Sequence, residues 1–207
     1  MARVRDEPLV WHPVRTALYA DLSQVVVVTG RAGTGAYAAI ERFVASRDGD
    51  GLHRERPDLS VVRLVTNPHP ERGIASSLRI GVSALGPETV AAVILLGDMP
   101  WVQPDTIGAL VRAFRAGRDG PVREQPARPL RERPDGAWVP VHGGRRGNPV
   151  LWSADFFPAL RGREGDQGAR NLLVDPATPV HEVRVDDPGV LRDVDTPEDL
   201  GRLDEAD

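Results

Sequence analysis

Two residue types are missing from this 207-residue sequence: it has no cysteine, and all 26 of its basic residues are arginine, so it has no lysine either. The lack of cysteine excludes disulfide bonds, thiolate nucleophiles and zinc–thiolate sites. The lack of lysine excludes Schiff-base chemistry and the phosphate-binding lysine of P-loop enzymes. A chain without cysteine fits a reducing cytoplasm, which is the location we expect.

Long apolar stretches are missing as well. No stretch approaches the roughly 20 apolar residues of a membrane-spanning helix. Residues 1–20 carry charges and two prolines where a signal peptide needs an apolar core. The net charge of −4 gives no electrostatic reason to expect nucleic acid as a partner. We therefore predict a cytoplasmic protein that binds neither membranes nor nucleic acid.

The apolar residues that are present form short runs that alternate with helical patterns. The length suits a single domain covering residues 1–207. Buried strands are predicted at 23–30, 61–65 and 89–96. Helices are predicted at 33–46, 73–85 and 106–116. This alternation favours a largely parallel sheet between two layers of helices.

The second half of the chain departs from this pattern. Residues 117–136 are rich in proline, glycine and charge, and we predict a flexible insertion there. Strands are predicted again at 138–141 and 148–152, with a hairpin turn at Gly143-Gly144, and a last strand at 179–185. The sequence from Thr196 predicts the start of a helix.

Polar residues follow the predicted strands. Thr29-Gly30, Asn67-Pro68 and Gly97-Asp98 all lie at carboxyl ends, which should meet at one ligand-binding crevice. Asp98 would direct a hard oxygen ligand into that crevice, which suits Mg²⁺ bound to phosphates, although Gly-Asp is also a common turn. Asp193 and Asp195 alternate along an extended segment, so that one can face the crevice; the same residues also fit an ordinary helix start.

A glycine-rich turn at Val25–Tyr37 offers an alternative, a dinucleotide site. Its glycines are spaced G-x-x-G-x-G, which is not the order of the dinucleotide-binding fingerprint. A short-chain dehydrogenase would also need a Tyr-x-x-x-Lys pair, which a lysine-free chain lacks. We favour a simple strand-to-helix turn.

Five motifs follow one another in a characteristic order. They are Asn67-Pro68 with Gly73 and Ser76-Ser77-Leu78, Gly97-Asp98-Met99-Pro100, Arg146-Gly147-Asn148-Pro149-Val150-Leu151, Gly165-Asp166-Gln167-Gly168-Ala169-Arg170, and Asp193-Val194-Asp195-Thr196-Pro197. From about residue 8 to residue 203 the chain resembles the MobA-like nucleotidyltransferases, especially the branch that attaches CMP to the molybdenum cofactor. The resemblance implies a three-layer α/β/α, Rossmann-like fold of the glycosyltransferase-A type.

The resemblance also implies a reaction. The terminal phosphate of a pterin, or of another phosphorylated acceptor, attacks the α-phosphorus of CTP or GTP and releases pyrophosphate. Such a transfer needs in-line positioning and cancellation of charge more than covalent chemistry. A molybdoenzyme or its chaperone is among the partners that this implies.

The resemblance implies roles for ten of the motif residues. The residues implied for Mg²⁺ are Asp98, Asp193 and then Asp195. Those implied for the base and ribose of the nucleotide are Asn67, Gly73 and Ser77. Those implied for the acceptor are Arg146, Asn148, Asp166 and Arg170. Loop and helix-cap roles would explain several of the acceptor residues equally well.

The resemblance is incomplete at the N-terminus. The family begins with a strand and a loop of the type L-x-A-G-x-x-x-R-M-G-x-x-K, which wraps the triphosphate. Here residues 1–7 stand in its place, and Pro8-Leu9-Val10 already matches the segment entering the family's first helix. We expect either an N-terminus further upstream or a degenerate paralogue.

The missing strand should leave a gap in the hydrogen bonding of the sheet. In the family fold it lies between the strands that here are 23–29 and 89–96, so each would expose an unpaired backbone edge unless the two pair directly.

Three functions stay open: an active nucleotidyltransferase, an inactive or truncated relative that binds a cofactor or partner, and a sugar-nucleotide or coenzyme nucleotidyltransferase of the same fold.

Replacing residues 117–136 by a short Gly-Ser linker should leave the domain folded, because their composition offers too little apolar area to offset the entropy of ordering. Thermal denaturation followed by circular dichroism should give the same midpoint as the full chain. Loss of the cooperative transition would show that the segment is packed and contributes to the core.

Overall fold

The structure is a computed structural model that describes residues 3–4, 7–30, 58–118, 135–166 and 168–194. Its helices are α1 (Trp11–Leu18), α2 (Ile74–Ser83), α3 (Pro104–Arg118), α4 (Phe157–Arg161) and α5 (Arg170–Leu173). Its strands are β1 (Arg3–Val4), β2 (Glu7–Pro8), β3 (Val25–Thr29), β4 (Val62–Thr66), β5 (Ala91–Ile94), β6 (Ala137–His142), β7 (Arg145–Arg146), β8 (Val150–Ser153) and β9 (Val180–Arg184). Within these ranges no helix combines the length and apolarity that a membrane span requires.

Most of the predicted elements are confirmed with small shifts at their ends. The strand predicted at 61–65 is β4, and the helix predicted at 73–85 is α2. The helix predicted at 33–46, the helix start at Thr196 and residues 119–134 of the predicted insertion lie outside the described residues. Helix α3 extends to Arg118, two residues into that segment.

The strands form a mixed sheet, not the largely parallel one that the sequence suggested. β3 pairs with β4 in parallel, and β6 pairs with β9 in parallel. β8 lies antiparallel between β5 and β6, and β7 continues the pairing along β6. The direction reverses because a tight turn joins β6 to β7, as predicted. Its two residues, Gly143 and Gly144, have φ of 55° and 78°, a left-handed conformation that glycine adopts without steric cost.

Helices cover both faces of the strands, which gives three layers. On one face α1 packs on β3 through Trp11, Val14 and Ala17, and α3 packs on β5, β6 and β8 through Leu110 and Phe114. On the other face, α2 contributes Leu78 and Val82 to a cluster with the opposite sides of β5, β6 and β8. The predicted three-layer α/β/α architecture is therefore confirmed.

The sheet is divided between β3 and β5. β3 pairs with β4 and β5 pairs with β8, and in the described part of the chain no strand pairs with the remaining edge of either. The two strands therefore do not close up on each other. This also corrects the prediction that 89–96 is a buried strand: all four residues of β5 are half-buried, and no strand among the described residues covers its second edge.

The divided sheet should make the 207-residue chain poorly stable or prone to aggregate. Each buried N–H or C=O without a partner costs about 1–3 kcal/mol, and several together rival the roughly 5–15 kcal/mol that stabilise a domain. Thermal denaturation and size-exclusion chromatography of the purified chain test this. A monomer with a cooperative transition of ordinary midpoint would contradict it.

Candidate active site

Asn67 organises the turn between β4 and α2. Its side chain is buried at 1% exposure and donates hydrogen bonds from Nδ2 to Ser76 Oγ at 2.7 Å and to Ser77 Oγ at 3.0 Å. Its Oδ1 accepts from the His69 N–H at 2.9 Å, and its own N–H donates to the Thr29 carbonyl at 2.7 Å. Both amide hydrogens of the side chain are thus used within the protein, so Asn67 fixes the geometry around Ser77.

Gly73 brings two of the predicted motifs together. It precedes α2 with φ of 85°, and a Cβ at this position would collide with Asp166 Oδ1 and lie 2.7 Å from the Gly165 carbonyl oxygen. The Ala75 N–H donates to the same Gly165 oxygen at 3.1 Å. The predicted nucleotide residue Gly73 therefore contacts the segment of the predicted acceptor residue Asp166.

Asp166 also lines an open cleft together with Arg170. The other residues of that cleft are Asn171 and Val174. Both predicted acceptor residues of this motif are exposed. The arrangement leaves a carboxylate and a guanidinium available to a polar ligand beside the start of α2.

Asp98 and Asp193, two of the three carboxylates predicted for the metal, belong to segments that touch. The Val194 N–H donates to the Asp98 carbonyl oxygen at 2.9 Å, which brings Asp193 beside the turn after β5. Asp98 is half-buried, with its Oδ1 shielded from solvent, whereas Asp193 is exposed. Asp195 lies outside the described residues.

The donor set suits a hard divalent cation. Two carboxylates on adjoining segments offer the oxygen ligands that Mg²⁺ prefers, and Mg²⁺ retains several waters or substrate oxygens in its shell. In the described ranges no three His, Asp or Glu side chains form a metal cluster. Among the described residues, a metal here would therefore take its protein oxygens from the pair Asp98 and Asp193.

Asp187 holds the segment that leads to Asp193. Its buried carboxylate accepts from the Gln103 N–H at 2.9 Å and from Thr106 Oγ at 2.7 Å through Oδ2, and from the Gly189 N–H at 2.9 Å through Oδ1. It thereby caps the start of α3 from a distant part of the chain. Sequence reasoning missed it, since an Asp-Pro-Gly stretch indicates only a turn.

Asn148 and Arg146 lie along the same segment. The Asn148 N–H donates to the Val190 carbonyl at 2.9 Å, and Gly147 packs so closely on Val190 that a side chain would not fit. Arg146 Nε donates to Glu182 Oε1 at 2.7 Å, with both side chains about half exposed at 51% and 52%. Asn148 thus joins the Asp98 and Asp193 group, while the guanidinium of Arg146 already has an acidic neighbour.

The predicted residues therefore fall into two groups. Asn67, Gly73, Ser77 and Asp166 are linked around the start of α2, next to the cleft that holds Arg170. Asp98, Asp193 and Asn148 are linked around the segment that follows β9. The expected meeting of strand ends is confirmed for Thr29 and Asn67, whose backbones share a hydrogen bond.

Solved structures share this fold. Rv0371c from Mycobacterium tuberculosis matches with a TM-score of 0.72 and 24% identity, over 100% of this chain and 88% of that one. The same protein in complex with manganese matches with a TM-score of 0.70. A nucleotidyl transferase from Methanothermobacter thermautotroptrophicus matches with a TM-score of 0.68 and 19% identity, over 98% of this chain and 82% of that one. The fold is thus that of the nucleotidyltransferases.

The family follows from the sequence. This chain belongs to the MobA-like NTP transferase domain family, whose domain model matches residues 1–181. It is similar to the molybdenum cofactor cytidylyltransferase of Escherichia coli, with 24% identity over 158 residues that make up 76% of this chain and 70% of that protein. The resemblance inferred from the five motifs is confirmed at this level, as is the nucleotidyltransferase class.

Asp187→Ala should lower the free energy of unfolding by about 1.5–3 kcal/mol, because donors to a buried carboxylate would lose their acceptor. The matched control is Asp186→Ala, since the neighbouring Asp186 side chain is fully exposed and its removal should change little. Chemical denaturation of both variants gives the comparison. Equal stability of the two would show that the cap contributes nothing.

Proposed function

We propose that the chain transfers a nucleoside monophosphate from CTP or GTP to a phosphorylated acceptor of the molybdenum cofactor type. The acceptor phosphate oxygen forms a bond to the α-phosphorus, the bond to the bridging oxygen breaks, and pyrophosphate leaves. The observation that supports this most is the hydrogen bond from the Val194 N–H to the Asp98 carbonyl, because it holds the segment of Asp193 against the turn that carries Asp98. Membership of the MobA-like family supports the reaction class.

Asp98 and Asp193 would hold Mg²⁺ in this proposal. The bound ion would supply positive charge that offsets the charge on the transferring phosphoryl group. The protein's own residues contribute position: Asn67 fixes the two serines at the start of α2, and Gly73 allows the Asp166 segment to approach them. Nucleotide and acceptor would thus be held on adjoining surfaces, which favours in-line attack.

The acceptor side is assigned to Asp166 and Arg170, with Asn148 nearer the metal. The cleft lined by Asp166 and Arg170 can donate from a guanidinium and accept at a carboxylate, which suits a pterin ring bearing amide and amino groups. A molybdoenzyme or its chaperone would then receive the product. The E. coli relative, named for the molybdenum cofactor, supports this choice of acceptor.

A second candidate is a non-catalytic relative that binds a cofactor or a partner enzyme. The sequence favours it in one respect: the 207 residues contain no lysine to bind a triphosphate. Pyrophosphate release separates the two candidates. It should be measured on the 207-residue chain and on any form that includes residues encoded in frame upstream, with CTP, GTP and UTP in turn.

In the active form, Asp98→Asn should reduce pyrophosphate release by orders of magnitude, because the substitution keeps the size but removes the charge that a metal needs. Asp105→Asn is the matched control, since Asp105 is an exposed acid in the first turn of α3. Both variants should melt like the parent. Unchanged turnover of Asp98→Asn at saturating Mg²⁺ would remove Asp98 from the metal site.

A further inference from the structure

Three arginines from two distant parts of the chain line one open cleft at the start of α2. Arg72 ends the short 3₁₀ turn before α2, Arg79 lies within α2, and Arg163 follows α4. The cleft measures about 360 Å³, and Ser76 and Gly165 also line it. None of the three arginines belongs to the residues that the family motifs assigned.

The backbone holds these arginines in place. The Ala75 N–H donates to the Gly165 carbonyl at 3.1 Å, which ties the segment of Arg163 to the first turn of α2. Gly73 permits this contact, since a side chain there would collide with Gly165. A backbone contact between the first turn of α2 and the segment of Arg163 therefore forms one wall of the cleft, and both segments contribute arginines to the lining.

Their guanidinium groups remain available. Those of Arg72 and Arg79 form no hydrogen bond or ion pair with any residue that the structure describes. Arg163 uses only Nε, which donates to the Ala159 carbonyl at 3.3 Å. One acid, Glu164, lines the cleft beside three arginines, so the formal charge of the cleft favours an anion.

A phosphate group matches this arrangement. Each guanidinium presents a planar fork of N–H donors that pairs with two oxygens of one phosphate. Ser76 also lines the cleft, but its buried hydroxyl is already used within the protein, accepting from the Asn67 amide at 2.7 Å and donating to the Gly73 carbonyl at 2.8 Å; the donors to a phosphate are therefore the arginines. Bringing three cationic side chains together with only one acid, Glu164, lining the cleft costs free energy through their mutual repulsion, and a bound anion would relieve that cost.

We propose that the cleft of Arg72, Arg79 and Arg163 is a binding site for the phosphate of a small-molecule substrate. The inference rests on the proposed function and extends it, because the cleft adjoins both Ser77 and the Asp166 segment. The phosphate belongs either to the nucleotide or to the acceptor, and the chemistry of recognition is the same for both. In a chain without lysine, these arginines supply a phosphate contact that the motifs alone did not reveal.

Calorimetric titration of the 207-residue chain with pyrophosphate tests the proposal. Divalent metal is removed with a chelator, so that Asp98 and Asp193 take no part. The parent should bind, and Arg79→Gln and Arg163→Gln should each weaken binding by about 10-fold, as expected for the loss of one charge-assisted contact. Arg145→Gln is the matched control, since Arg145 lies exposed in the β6–β7 turn region, and it should bind like the parent.

Further titrations identify the source of the phosphate. If the two variants also weaken CTP, the cleft holds the phosphates of the nucleotide; if they weaken phenyl phosphate but leave CTP unchanged, it holds the phosphate of the acceptor. Arg72→Gln, at an exposed position, provides a variant with little effect on folding. A parent that binds none of these anions, or variants that bind them all as the parent does, would overturn the proposal.

The outcome separates this inference from the proposed function. Asp98→Asn should keep its pyrophosphate binding in the absence of metal, since Asp98 does not line the cleft. Binding without turnover in any form of the chain would leave the cleft assigned and reject the transferase. Turnover that Arg79→Gln and Arg163→Gln leave unchanged would support the transferase and reject the phosphate site in the cleft.

Discussion

Helix α2 joins the two parts of the divided sheet. On one side Gly81 packs so closely on β3 that an added Cβ would lie 3.1 Å from Val28 Cγ2. On the other side Leu78 and Val82 belong to the apolar cluster that includes Ala92 of β5. Because β3 and β5 exchange no ladder hydrogen bonds, the relative position of the two parts depends on such side-chain packing. On the opposite face the Thr16 hydroxyl supports it, donating to the Val102 carbonyl at 2.9 Å.

The same helix determines the geometry of the site. Two contacts fix its first turn: the Asn67 side chain donates to the Ser76 hydroxyl, and the Gly165 carbonyl accepts from the Ala75 N–H. Residues at that turn therefore lie beside two open clefts, the arginine cleft and the cleft of Asp166 and Arg170. Helix α2 thus carries both the packing that holds the two parts of the sheet together and the hydrogen bonds that shape the site. Substitution of its buried residues would disturb the packing and the site together.

The segment that carries Asp193 is held in a different way. The segment after β9 is anchored by the buried carboxylate of Asp187 and by the Asn148 N–H before it reaches Asp193. Such anchoring, together with one short 3₁₀ helix at Pro188–Leu191, brings an exposed aspartate beside Asp98. Hydrogen bonds to a buried charge are among the stronger ones in proteins, which is why one residue can position a whole segment. The two site groups consequently rest on independent parts of the core.

The sequence by itself determined the family, helices α2 and α3, and strands β3, β4, β5, β6, β8 and β9, whereas α1, α4 and α5 were not predicted. β-branched runs gave the strands, a 3.6-residue apolar period gave α2 and α3, and Gly143-Gly144 gave the hairpin, because each signal is local. Motif order gave the nucleotidyltransferase class without any contact being known. Only the tertiary structure decided that the sheet is mixed and divided, that Asp187 caps α3, and that Arg72, Arg79 and Arg163 share a cleft. These features join residues up to about ninety positions apart, as Arg72 and Arg163 are, and no periodicity or local propensity records which distant segments will meet.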